Sequence, residues 1–228
     1  MNIKNKNEIL NKLEIMKDKN NYNNSDITFL EELIQIGDTE IRYEVAEVLS
    51  GKNEIEINKI FLELLNDENE LVRINASDSV YNCTSNQIID KLKDIILNDK
   101  YLVRGYAILS ICDIANKCER KEEILNFIES RLKVEKSKWV KATIYSSLYL
   151  LNNENKYIIL LLNLLDESNY KIRCMVLNRI SELLNKKNYL IVKEKLENRM
   201  KVEDSVAVRS SIINILNKNQ NKKKEELF

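Results

Sequence analysis

The chain has 228 residues, of which 44% are hydrophobic and 32% charged, a balance that suits a folded soluble protein and excludes extensive disorder. Lys+Arg and Asp+Glu both number 36, so no net field over the whole chain draws it to nucleic-acid phosphates or anionic membranes, although a local patch stays possible. There is no histidine, and Cys83, Cys112, Cys118 and Cys174 contain no CxxC pair, which excludes the usual zinc sites and leaves reduced, mostly packed thiols as the expectation.

From the N-terminus, "MNIKNKNEILNKLEIMKDKN" is charged throughout and has no apolar core of the signal-peptide kind. Segment 5 to 18 reads as a single helix, and residues 1–24 as an N-terminal capping helix and linker. Glycine occurs three times and proline never, while apolar residues recur at i, i+3, i+4 and i+7, so the chain reads as all-α.

Six helical pairs follow in order across residues 25–218. Their first helices are "ITFLEELIQI", "INKIFLELL", "QIIDKLKDIIL", "EEILNFIESRL", "KYIILLLNLL" and "YLIVKEKLENRM". Their second helices carry a β-branched residue followed by a base: Ile41-Arg42, Val72-Arg73, Val103-Arg104, Val140-Lys141, Ile172-Arg173 and Val208-Arg209. Between the two lies a short polar turn, often with an aspartate able to cap the second helix, as in "GDTE", "NDEN", "NDKY" and "EDSV". Residues 219–228 form a polar C-terminal tail, expected to fray. The longest apolar run, "YIILLLNLL" at 157–165, is far below the ~20 residues that span a bilayer, so a cytoplasmic protein without a membrane partner is expected.

The six basic positions are equivalent by register. Three residues after them stand Val45, Ala76, Ala107, Ile144, Val176 and Ile212, and seven after them Leu49, Val80, Ile111, Leu148, Ile180 and Leu216. Every slot is apolar, which places one face of each helix in a core. A pair of this size cannot bury its apolar face alone, so stacked neighbours must share a continuous core.

"LLNDENELVRINAS" and "IILNDKYLVRGYAI" resemble the HEAT-repeat family, in particular its short bacterial type with a D-x-x-x-V-R-x-x-A pattern. The resemblance covers about residues 26–218, and the fourth repeat departs most, with Lys141 for arginine and "EKSK" for the acidic turn. It implies a right-handed α-solenoid of about six HEAT-like hairpins. It also implies that Arg42, Arg73, Arg104, Lys141, Arg173 and Arg209, with Asp67, Asp99 and Asp204, form a structural ladder between successive repeats rather than a chemical site.

Catalysis finds little support. Without histidine the usual general base near neutral pH is missing. No Walker loop, GxGxxG turn or GxSxG elbow occurs, and Asp78 and Asp113 read as solvated helix positions rather than paired acids. The HEAT-like alkylpurine DNA glycosylases share the repeat type, but four residues after the single tryptophan, Trp139, stands Thr143 rather than a carboxylate. No cofactor is expected.

In the resembled repeats the Val-Arg helix lines a concave surface, whose exposed slots are the two residues before the pair, the two after it and the fifth after the arginine. The first two repeats then present an acidic end including Glu44 and Glu47. The middle repeats present Tyr101, Leu102, Gly105, Tyr106, Lys138, Trp139, Thr143, Tyr170, Lys171, Cys174 and Met175, aromatic with a basic far edge. An aromatic strip rimmed by charge has the composition of a protein-binding hot spot. The expectation is therefore a non-catalytic scaffold or adaptor that binds another protein or peptide, with an immunity or inhibitor protein as a specific form. A nucleic-acid-binding repair protein is the alternative class.

Overall fold

The computed structural model describes residues 3–225, and the side chains of residues 6–217. Among the described residues there are thirteen α-helices, one 3₁₀ turn and no strand. They form two compact units, Met1–Lys133 and Val134–Phe228.

The N-terminal unit holds α1 (Ile3–Lys17), α2 (Asn24–Ile36), α3 (Thr39–Val48), α4 (Ile55–Leu64), α5 (Glu70–Ser79), α6 (Asn86–Asn98), α7 (Tyr101–Ala115) and α8 (Lys121–Val134), whose last residue crosses the division. Helix α3 packs on α1 and α5, and α5 on α7; in a second row α2 packs on α4 and α4 on α6. The C-terminal unit repeats this pattern with α9 (Lys138–Asn152), α10 (Asn155–Asn163), α11 (Tyr170–Leu183), α12 (Tyr189–Val202) and α13 (Val206–Glu225). There α9, α11 and α13 make one row and α10 and α12 the other. The division falls at the last residue of α8, in the repeat whose turn departs from the acidic pattern.

Local chemistry sets the helix starts. Asn23 and Asp26 form a reciprocal capping box on α2, and Asp38, Ser85 and Ser137 each accept a backbone N–H three residues on, at the starts of α3, α6 and α9. Asp67 and Asp99 behave differently from Asp38: the N-caps of α5 and α7 are Asn69 and Lys100, so these aspartates stand just outside their helices. Helix α9 ends on Asn153 in the left-handed region (φ 55°), a conformation asparagine tolerates.

Gly51 also has positive φ (75°), and a side chain there would run into the Tyr81 ring. Its N–H donates to Ser79 O (2.8 Å) and its carbonyl accepts from Asn82 (2.9 Å), which ties the loop after α3 to the loop after α5.

The apolar slots face the core. Val45, Ala76, Ala107, Ile144, Val176 and Ile212 are all buried, as are Leu49, Val80, Ile111, Leu148 and Ile180, while Leu216 is half-buried. Each fully buried Val, Leu or Ile contributes about 1.5–3 kcal/mol of transfer free energy, so these slots add to the stability that the first helices' own buried side chains give each pair. Helix α13 continues through residues 219–225 of the polar tail, and residues 226–228 lie outside those described.

Candidate functional site

The arginines are taken up by the frame. Arg42 grips Asp67 with two bonds (2.6 and 3.1 Å) and donates its third nitrogen to Gly37 O (2.9 Å). Arg73 does the same one repeat on, to Asp99 (2.7 and 2.8 Å) and to Asp67 O (2.7 Å), and Arg104 Nη1 donates to Asp99 O (2.8 Å). One turn residue thus serves two arginines, its carboxylate taking the preceding repeat's and its carbonyl its own. Lys6 on α1 reaches Asp38 (2.7 Å) in the place where an earlier repeat's arginine would stand.

In the C-terminal unit the acid of this arrangement is Glu203, not Asp204. Arg173 forks onto Glu203 (2.9 and 2.6 Å), Arg199 adds a third bond (2.7 Å), and Arg209 donates to Glu203 O (3.0 Å). The Glu203 side chain is 0% exposed, whereas Asp204 is 90% exposed and supplies one contact to Arg173 (3.1 Å). Burial pushes the Glu203 carboxyl up, but the arginines and the Ser205 N–H outweigh it and pull it down to about 2. The signal for Glu203 was its offset: it precedes Arg209 by the same interval as Asp67 precedes Arg73. Lys141, half-buried, enters no ion pair among the described residues.

Exposed slots differ between the units. On α3, α5 and α7, Tyr101 is 49% and Leu71 60% exposed, Tyr43 and Glu47 face solvent, and Glu44, Leu102 and Tyr106 are half-buried. Glu44 pairs with Lys17 (3.1 Å). Burial raises the Tyr43 phenol, and Glu47, Glu44, Tyr106 and Asp78 add to the rise, so groups on α5 and α7 as well as on α3 act on this phenol.

On α9 and α11, Lys138, Tyr170 and Lys171 are exposed, Trp139, Cys174 and Met175 half-buried, and Lys138 pairs with Glu167 (2.8 Å). Two slots expected at the surface are not there: Gly105 and Thr143 are buried. The Thr143 hydroxyl donates to Trp139 O (3.3 Å) and so needs no solvent.

A cleft of about 410 Å³ opens over the Arg73–Asp99 rung. Its charged groups are spoken for: Asp67 holds Arg42, Lys91 holds Asp94 (3.3 Å) and Lys100 holds Glu70 (2.8 Å). Among the described residues no cluster of His, Cys, Asp or Glu suits a metal ion, and no helix is long and apolar enough to cross a membrane.

The Cys83 thiol is buried, donates to Lys52 O (3.0 Å) and is pushed up to about 12, so it stays protonated and unreactive. Asp78 and Asp113 are both exposed, and partial burial raises the Asp113 carboxyl above its ordinary value.

The charge that cancels over the chain is unevenly placed. Residues 1–133 contain 25 Asp+Glu against 18 Lys+Arg, and residues 134–228 contain 11 against 18. Compared with known proteins, the chain matches no protein-family model, and no curated protein is significantly similar to it.

Proposed function

We propose that the chain is a HEAT-like α-solenoid acting in the cytoplasm as a non-catalytic scaffold that binds a partner protein through the exposed faces of its Val-Arg helices. One observation carries the reading: the repeated residues turn into the core and the turns, while the positions that vary between repeats put Tyr43, Leu71, Tyr101 and Tyr170 in solvent. Large aromatic side chains left exposed on a regular frame suit partner burial, because they cover much area with few rotors to freeze.

The test is copurification from the native cell with a tagged chain, using Tyr101→Ala/Tyr106→Ala and Trp139→Ala/Tyr170→Ala variants. The expected result is a partner lost from at least one pair at unchanged melting temperature. A partner retained by both pairs overturns the reading. If the partner is a toxin, coexpression rescues growth, which is the form an immunity protein takes.

The basic excess of Val134–Phe228 favours one second reading, a nucleic-acid-binding repair protein of the HEAT-like glycosylase kind. Salt-sensitive duplex binding together with release of alkylated bases would establish it in place of the scaffold.

A further inference from the structure

Resting on the scaffold reading, we propose that the exposed face of α3, α5 and α7 receives a lysine- and arginine-rich segment of the partner protein. These three helices contain six carboxylates and three arginines, and Glu40, Glu44 and Glu70 are already paired with Lys6, Lys17 and Lys100. Arg42 and Arg73 are forked onto Asp67 and Asp99, and Arg104 is turned into its own turn, so the cations of these helices are drawn to one end. Glu47, Asp78 and Asp113 enter none of these pairs and are exposed. Glu47 is exposed and enters no ion pair among the described residues, and it shares an electrostatic neighbourhood with Asp78, Tyr43 and Tyr106.

Phenol rings beside carboxylates fit one kind of side chain well. The aliphatic stem of Lys or Arg lies along an aromatic ring while its charged head meets a carboxylate and the ring face. Exposed Leu71 and half-buried Leu102 on the same helices offer apolar contacts to the residues between such bases. The acidic excess of residues 1–133 extends the attraction beyond contact distance and disfavours phosphate-bearing ligands at this face.

The experiment uses the full chain and a fluorescein-labelled peptide alternating Lys or Arg with Leu or Tyr, read by anisotropy, with the same peptide carrying Glu in place of the bases as control. The basic peptide binds, and Glu47→Lys/Asp78→Lys weakens it by about tenfold or more. Tyr43→Ala/Tyr106→Ala weakens it by about fivefold, as loss of cation–π contact requires. Glu31→Lys/Glu32→Lys, on exposed positions of α2 with the same change in net charge, alters it by less than about twofold.

Equal binding of the two peptides, or an α2 variant that loses as much as the face variant, overturns the proposal, since the attraction would then be diffuse. Sedimentation that finds a salt-sensitive dimer abolished by Glu47→Lys/Asp78→Lys would assign the face to a second copy and overturn it too. A cellular partner lost with Tyr101→Ala but kept by Glu47→Lys/Asp78→Lys sinks this proposal and leaves the scaffold reading standing.

Discussion

The two units solve the same structural problem with different acids. In the N-terminal unit Arg42 and Arg73 meet aspartates whose side chains, like their own, keep some contact with water. In the C-terminal unit Arg173 is 4% exposed and its glutamate not at all, with Arg199 as a second cation on the same carboxylate. Aspartate has a short reach and keeps the rung near the surface; glutamate has one more methylene and carries the charge into the interior, where a second arginine offsets its desolvation. The frame is therefore shared, but its electrostatic stakes are higher in Val134–Phe228.

Breaking the buried rung should have the largest effect. Arg173→Ala leaves Glu203 buried with Arg199 alone, and the loss is expected near the lower end of the ~3–5 kcal/mol for orphaning a buried charge. Calorimetry should then show a midpoint about 6–12 °C lower. A change of a degree or less would mean the rung is solvated in solution.

Acid should separate the units next. The carboxyl of Glu203 is held at about 2, against an ordinary value of 4.5, so its contribution is complete above pH 4.5 and fades as pH falls toward 2. Glu203→Gln, less stable than the parent at pH 6, should approach it in urea melts at pH 3. Parallel pH profiles for the two chains would contradict the assignment.

Arg42→Ala breaks a rung that keeps only slight contact with water, and about 1–3 kcal/mol is expected from leaving Asp67 without its fork. Equal losses for Arg42→Ala and Arg173→Ala would erase the contrast between the units. The smallest effect belongs to Lys138→Ala, which breaks the open Lys138–Glu167 pair and should leave the melting midpoint close to the parent's, the more so in high salt.

Helix pairing was legible because it rests on periodicity. Ile41, Val72, Val103, Val140 and Val208 share a register, and all five are fully buried. Ile172 breaks the series: it is half-buried while Arg173 beside it is buried, because there the rung itself moves inward.

The choice of Glu203 over Asp204 was harder to read, since adjacent carboxylates are alike in sequence and only the path of the turn decides which one meets Arg173. The burial of Gly105 and Thr143 is hidden from the sequence for a similar reason, as coverage by neighbouring helices has no local signature. The opposite charges of the two units lay in plain view, yet the sum of 36 against 36 conceals them until a boundary at 133/134 is drawn.

The double use of each turn acid has a consequence for how the chain can change length. Asp67 gives its carboxylate to Arg42 and its carbonyl to Arg73; Asp99 gives its carboxylate to Arg73 and its carbonyl to Arg104. The repeating cell of the N-terminal unit therefore runs from one turn acid to the next and does not coincide with a helix pair. A chain lacking residues 68–99 would set Asp67 directly before "KYLVR", where it can still hold Arg42 and offer its carbonyl to Arg104. Deletions that take a turn acid and leave the next arginine, such as residues 55–69, would instead leave Arg42 without an acid, since Asp99 already holds Arg73. Growth and loss by whole cells leave every join satisfied, and that is the grammar by which such an array lengthens or shortens.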